Sequence, residues 1–233
     1  MRLDFAMTKG LFITGTGTDV GKTFVTGLLV KKLNEITKSV AYYKAAMSGN
    51  DRDEAGKLIP GDALSVKKTS NISQDLDSMC PYVYEVAVSP HLASRIEGNP
   101  VDIDVVMDGY NKLKEKYDYI IAEGSGGILC PINFDGEKIW LTDIIKKMDI
   151  PCVIIADAGL GTINSVVLTY EYMKKVNIKC AGIIFNNCHP GDVCEEDNKV
   201  MCEYMTGLKV LASVKPNDTD IDIDEKVLLE MFI

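Results

Sequence analysis

The chain has 233 residues, 46 % hydrophobic and 25 % charged, a composition that fits one globular core and excludes a disordered chain. Its 34 acidic against 25 basic residues give a net charge of -9 and a pI near 4.8. That balance works against nucleic acid and anionic membranes, so neither partner is expected. No run approaches the roughly eighteen apolar residues of a membrane span, and the opening MRLDFAMTKG carries Asp4 where a signal peptide needs an unbroken apolar segment. A cytoplasmic location and a single domain over residues 1–233 are expected.

Six apolar, β-rich runs follow one another: LFITG at 11–15, VAYYK at 40–44, YDYIIAEG at 117–124, CVIIAD at 152–157, CAGIIFN at 180–186 and KVLASV at 209–214. Between them lie helical patterns: TFVTGLLVKKLNEI after the first, VDIDVVMDGYNKLKEKY before the third and INSVVLTYEYMKKV after the fourth. Val and Ile run almost continuously instead of alternating with polar residues, which means burial on both faces. The class is α/β, a doubly wound, mostly parallel sheet with helices on both faces. The stretch from about Asn50 to Pro100 is the least regular and holds four of the eight prolines. Seven cysteines, scattered through contexts such as PCVII and KCAGII, read as small buried hydrophobes and not as a disulfide framework. Cys188, His189, Cys194 and Cys202 match no zinc spacing.

In such sheets ligands sit beyond the carboxyl ends of the strands. The residues there are polar and glycine-rich: GTGTDVGKT, KAAMSG, EGSGG, DAGLGTIN and NNCHPG. The first, residues 15–23, is a phosphate cradle of P-loop type. Its glycines let backbone N–H groups approach an anion, the following helix start adds partial positive charge, Lys22 reaches the β- and γ-phosphates, and the Thr23 hydroxyl suits Mg²⁺. Gly15 stands six residues before Gly21, one more than the common spacing. The working ligand is ATP with Mg²⁺. Two carboxylates fit the same ion: Asp62, read as the N-cap of a helix opening at PGDALSV, and Glu123 at the end of the third strand.

With these residues assembled the sequence resembles the dethiobiotin synthetase family over nearly its whole length. The motifs are GTGTDVGKT, YYKAAMSG, GDAL, SPHLAS, AEGSGGILCPI, LGTINS, IIFNN and EYMT. The resemblance implies a reaction of 7,8-diaminopelargonate with CO2 and ATP through a carbamate and a carbamic-phosphoric anhydride. It implies catalytic roles for Lys22, Lys44, Thr18 and Ser48, with Ser48 at the reacting diamine. Nucleotide contacts would come from Gly17, Thr18, Asp19, Val20, Gly21, Lys22, Thr23 and Phe24, with Asn186 and Pro216 at the adenine. Metal ligation falls to Thr23, Asp62 and Glu123. The far carboxylate of the substrate falls to Gly161, Thr162, Ile163 and Asn164 with Tyr204, across the two-fold interface of a homodimer.

Several residues depart from the family pattern. Asp19 stands where Glu is common, Asp157 is read as structural, HPGDVCEED is more acidic than its counterpart, and His91 is read as a capping or packing residue. Two other readings remain: an ATPase switch like ParA or MinD, and an amide ligase of the cobyrinate-synthase kind. The first carries an extra lysine early in its loop, where this chain has Gly15-Thr16-Gly17. The second needs a glutaminase domain.

Overall fold

The computed structural model describes residues 8–232; the opening segment 1–7, on which the expected lack of a signal peptide rests, lies outside them. In chain order the strands are β1 (Lys9–Gly15), β2 (Val40–Lys44), β3 (Ala46–Met47), β4 (Tyr82–Val83), β5 (Tyr119–Glu123), β6 (Pro131–Asn133), β7 (Ile139–Trp140), β8 (Cys152–Asp157), β9 (Cys180–Asn186) and β10 (Val210–Ser213). The α-helices are α1 (Lys22–Thr37), α2 (Gly61–Ser70), α3 (Pro90–Ile96), α4 (Ile103–Lys114), α5 (Leu141–Met148), α6 (Thr162–Lys175), α7 (Val193–Thr206) and α8 (Glu225–Glu230).

Six strands form one sheet in the order β10-β9-β8-β1-β5-β2, and every pairing is parallel. Successive side chains point to opposite faces, and both faces are buried. Leu11, Ile13, Val153 and Ile155 pack with Leu28, Leu29 and Leu33 of α1, Val66 of α2 and Leu228 of α8. Phe12, Cys152 and Ile154 pack on the other side with Val106 and Leu113 of α4 and Ile144 and Ile145 of α5. Cys188 and Cys202 sit in a smaller cluster with Val166 and Phe185, as apolar filler.

The strand order reverses at β1, whose neighbours are β5 and β8. A crevice opens at the carboxyl edge at such a switch point. β2 is an edge strand, and an open edge invites foreign pairing. Gln74, 2 % exposed, blocks it. Its amide accepts from the Tyr42 N–H at 2.8 Å and donates to the Tyr42 carbonyl at 3.0 Å.

All six expected strands are present, with limits shifted by two residues at most. The irregular stretch contains α2, β4 and α3. Asp62 is not an N-cap. Pro60 occupies that position, Asp62 lies in the first turn of α2, and its carboxylate is drawn instead to a lysine.

Candidate active site

α1 begins without the usual protection. Its N-cap is Gly21 in the left-handed region (φ 85), no side chain caps it, and its first turn holds no acid. The orphan N–H groups of a helix start are therefore left for an anion. Gly21 is required twice over: a side chain would strain this backbone, and a Cβ here would lie 2.0 Å from Asn186 Nδ2. Asp19 is also left-handed (φ 60). Asp tolerates that region better than longer or branched side chains, which suits it to the place where Glu is common.

A cavity of about 460 Å³ lies over this loop. It is lined by Thr18, Asp19, Gly21, Lys22, Thr23 and Phe24, by Lys44, Met47 and Ser48, by Asp62, and by Ser125 and Gly126. The last two are site residues that the sequence does not single out, although the EGSGG run after β5 carries the signal for them. A second cavity, about 680 Å³, opens among Lys9, Ile150 and Phe232 at the opposite edge of the sheet, away from the loops that follow the strands.

The first cavity is organised around Lys44. β2 and β5 pair so that Lys44 stands directly beside Glu123. Lys44 Nζ donates to Glu123 Oε1 at 2.7 Å and to Asp62 Oδ2 at 2.6 Å, and the Thr23 hydroxyl donates to the same Glu123 Oε1 at 2.8 Å. Lys22 Nζ donates to the Gly17 carbonyl at 2.7 Å. Burial works to lower the pKa of the Lys44 ammonium, but Glu123 and Asp62 outweigh it and hold the value above the ordinary one. Lys22 goes the other way: burial, then the neighbouring Lys44, lowers its pKa. For Asp62 burial acts to raise the pKa, and Lys44 overcomes this to leave it lowered.

Two ammonium groups and two carboxylates thus cancel in one cluster, in which Lys22, Lys44 and Glu123 are buried and Asp62 is partly open to water. The oxygen donors are a hydroxyl and two carboxylates, hard ligands in the number that Mg²⁺ takes when phosphate and water complete its shell. Among the described residues no group of three or more His, Cys, Asp or Glu converges as a self-sufficient metal cage.

The remaining expected residues follow strand ends along the same edge, except Tyr204 near the end of α7. Ser48 lines the cavity and donates to the Val88 carbonyl at 2.6 Å, which leaves its oxygen lone pairs free to accept. Asn186 is buried beneath the loop; its Nδ2 donates to the Val20 carbonyl at 3.2 Å, and its Oδ1 has no partner among the described residues. Pro216 lies in an exposed turn after β10. Gly161, Thr162, Ile163, Asn164 and Tyr204 do not line this cavity. Gly161 is the left-handed N-cap of α6, whose start, like that of α1, has neither a side-chain cap nor an acid in its first turn. The Thr162 hydroxyl there is buried without a partner among the described residues. Tyr204 is 82 % exposed on α7.

The departures from the family pattern have local causes. Asp157 accepts from the Gly159 N–H at 2.9 Å and from Asn187 Nδ2 at 2.7 Å, so it braces the loop into α6. In HPGDVCEED, Asp192 caps α7, and Glu195 accepts from the His189 ring at 2.8 Å, which raises the His189 pKa. His91 meets Ser89 Oγ at 3.0 Å and packs edge-on against Phe134.

The chain matches a family model described as an AAA domain over residues 9–222. Among solved structures it is similar to the MinC:MinD cell division protein complex of Aquifex aeolicus, with a TM-score of 0.56 at 15 % identity, covering 89 % of this chain and 81 % of that one. It is also similar to a ParA family ATPase from Chlorobium tepidum, with a TM-score of 0.54 at 14 % identity, covering 97 % and 90 %. At that identity the likeness shows the P-loop fold alone. Curated relatives decide more. The ATP-dependent dethiobiotin synthetase of Brachyspira hyodysenteriae is 47 % identical over 97 % of this chain and 100 % of its own length. That of Clostridium botulinum strain Loch Maree is 42 % identical over 97 % and 99 %, and that of Clostridium perfringens is 41 % identical over 93 % and 94 %. Identity of this order, held across both chains almost end to end, places the protein in the family of ATP-dependent dethiobiotin synthetases, ligases of biotin biosynthesis.

Proposed function

We propose that the protein joins 7,8-diaminopelargonate to CO2 and closes the ureido ring of dethiobiotin, converting ATP to ADP and phosphate, in the cytoplasm. The observation that carries this reading is the second lysine. Lys44 is buried in the wall of the cavity that also holds Lys22, and two carboxylates keep it charged. Phosphoryl transfer onto an anionic acceptor needs that density of positive charge more than it needs an acid or base.

One amine of the substrate attacks CO2, forms an N–C bond and loses a proton, giving a carbamate. A carbamate oxygen then attacks the γ-phosphorus; the bond to the β-phosphate oxygen breaks and ADP leaves. The neighbouring amine adds to the carbamoyl carbon, the C–O bond breaks with phosphate as leaving group, and a proton departs. Lys22 and Lys44 stabilise charge on the transferring group, and the Thr18 hydroxyl donates to it. Ser48 accepts from the reacting diamine through the lone pairs that its bond to Val88 leaves free. Backbone groups from Gly17 to Phe24 cradle the triphosphate, and Asn186 and Pro216 receive the adenine. Thr23, Asp62 and Glu123 would hold Mg²⁺, which when bound neutralises charge on the triphosphate.

The substrate's far carboxylate docks at the start of α6, on Gly161, Thr162, Ile163 and Asn164 with Tyr204, supplied by a second copy of the chain. Two observations support this. Among the described residues the helix start has no side-chain cap and the Thr162 hydroxyl has no partner. Leu160 (95 %) is exposed just before α6, Leu168 on it, and Val193, Val200 and Tyr204 on α7, exposed apolar side chains of the kind that a homodimer covers.

The test is a product assay. Phosphate release from ATP should require the diamine and bicarbonate together, with a product of the mass of dethiobiotin. ATP hydrolysis that ignores the diamine would favour a nucleotide switch and overturn the reading.

A further inference from the structure

Behind the cavity lies a polar group that no step above uses. Tyr42 on β2 is 0 % exposed, and its hydroxyl donates to Glu123 Oε2 at 3.3 Å. Strand alternation puts it there. Tyr42 and Lys44, two residues apart, share a face; Lys44 pairs with Glu123 and Tyr42 with Ile121, so Tyr42 is the diagonal neighbour of Glu123. The other carboxylate oxygen, Oε1, serves Thr23 and Lys44. The main chain of Tyr42 is itself held by Gln74 on both its N–H and its carbonyl.

A phenol in a core costs free energy unless its hydroxyl is bonded, and Phe would fill nearly the same space without that cost. The two donors on Oε1 face the cavity, and the reaction competes for one of them, since Lys44 must also serve the phosphoryl group. Tyr42 does not line the cavity, so no substrate competes for its hydroxyl. We infer that Tyr42 is a positioning residue: its hydroxyl fixes the Glu123 carboxylate from behind, so that Oε1 stays beside Thr23 and ready for a divalent cation when Lys44 turns to the phosphate. This rests on Thr23, Asp62 and Glu123 being the cation ligands.

The test compares Tyr42→Phe, Tyr42→Leu and Glu123→Gln with the wild type. Mn²⁺ binding is followed by electron paramagnetic resonance with a non-hydrolysable ATP analogue, alongside Tm and metal-free nucleotide binding. Tyr42→Phe should raise the Mn²⁺ Kd about three- to tenfold, the scale of one long hydrogen bond to a charged group. Its metal-free nucleotide affinity should stay near wild type, and its Tm should fall by no more than the loss of one hydrogen bond to the buried Glu123 requires. In turnover, the Mg²⁺ concentration giving half the maximal rate should rise while kcat at saturating Mg²⁺ is kept. Tyr42→Leu should show the same Mn²⁺ loss together with a lower Tm. Wild-type Mn²⁺ binding in Tyr42→Phe, beside weakened binding in Glu123→Gln, would overturn the inference alone. Wild-type binding in both would overturn the cation assignment with it.

Discussion

Two helices of this protein start alike and finish differently. α1 and α6 both open on a left-handed glycine with no side-chain cap and no first-turn acid, whereas α4, α7 and α8 are capped by Asp102, Asp192 and Asp224. Both bare starts suit anions. The start of α1 is enclosed by its own chain: Asp62, Lys44, Glu123 and Thr23 form one run of hydrogen bonds beside it, and Lys22 donates to the Gly17 carbonyl. The start of α6 is left, among the described residues, with an unpartnered Thr162 hydroxyl and, just before it, an exposed Leu160. In the proposed dimer, one half of the site is therefore complete within a protomer, and the other half awaits a second copy.

The largest effects are expected at the complete half. Lys44→Met and Lys22→Met should each lower kcat by about 10²- to 10³-fold or more, the usual result of removing a preorganised charge from a transferring group. Turnover near wild type in either variant would remove that lysine from its role. At the incomplete half, Leu160→Asp should convert a dimer to a monomer in sedimentation and raise the KM for the diamine more than it lowers kcat. A variant that remains dimeric with unchanged KM would break the comparison between the two helix starts.

The same two lysines should split in stability. Lys44 holds two carboxylates together, and taking one partner from a buried pair costs about 3–5 kcal/mol; because Asp62 is partly open to water the lower end is expected, seen as a fall in Tm for Lys44→Met. Lys22 is destabilised by burial and by Lys44, so Lys22→Met should have a Tm at or above wild type. Equal falls would contradict the charge assignment.

A smaller effect lies in pH. The folded pKa of Asp62 is lowered below its ordinary 3.8, so its contribution to stability is present above that value and is lost as pH falls through the folded one. That of Lys44 is raised above 10.5, so its contribution is present below that value and is lost as pH rises through the folded one. In Lys44→Met both of these losses should disappear from stability measured against pH, leaving a flatter curve at each extreme.

What the sequence reveals follows the range of the interactions. The phosphate loop is legible because strand, turn and helix start are contiguous, and its ligand is read by backbone N–H groups that nine residues supply. The strands are legible because both faces are apolar. Asp62 looks like a cap because its immediate neighbours fit one, while the partner that claims it, Lys44, arrives from another strand. α5 is only eight residues long, and α7 turns Val193, Val200 and Tyr204 outward, so its periodicity does not mark a single buried face. Tyr42 is visible in the sequence only as part of YYKAAMSG; its bond to Glu123 depends on the β2–β5 register, which no spacing in the chain announces.

The measurement that tests the central claim most directly is label transfer. With CO2 carrying heavy oxygen, assayed within seconds in ordinary water with the diamine, ATP and Mg²⁺, one labelled oxygen is expected to appear in the released phosphate, in step with the cyclic urea formed. Phosphate that carries no label while dethiobiotin accumulates would show that the carbamate oxygen never met the γ-phosphorus, and would contradict the proposed route.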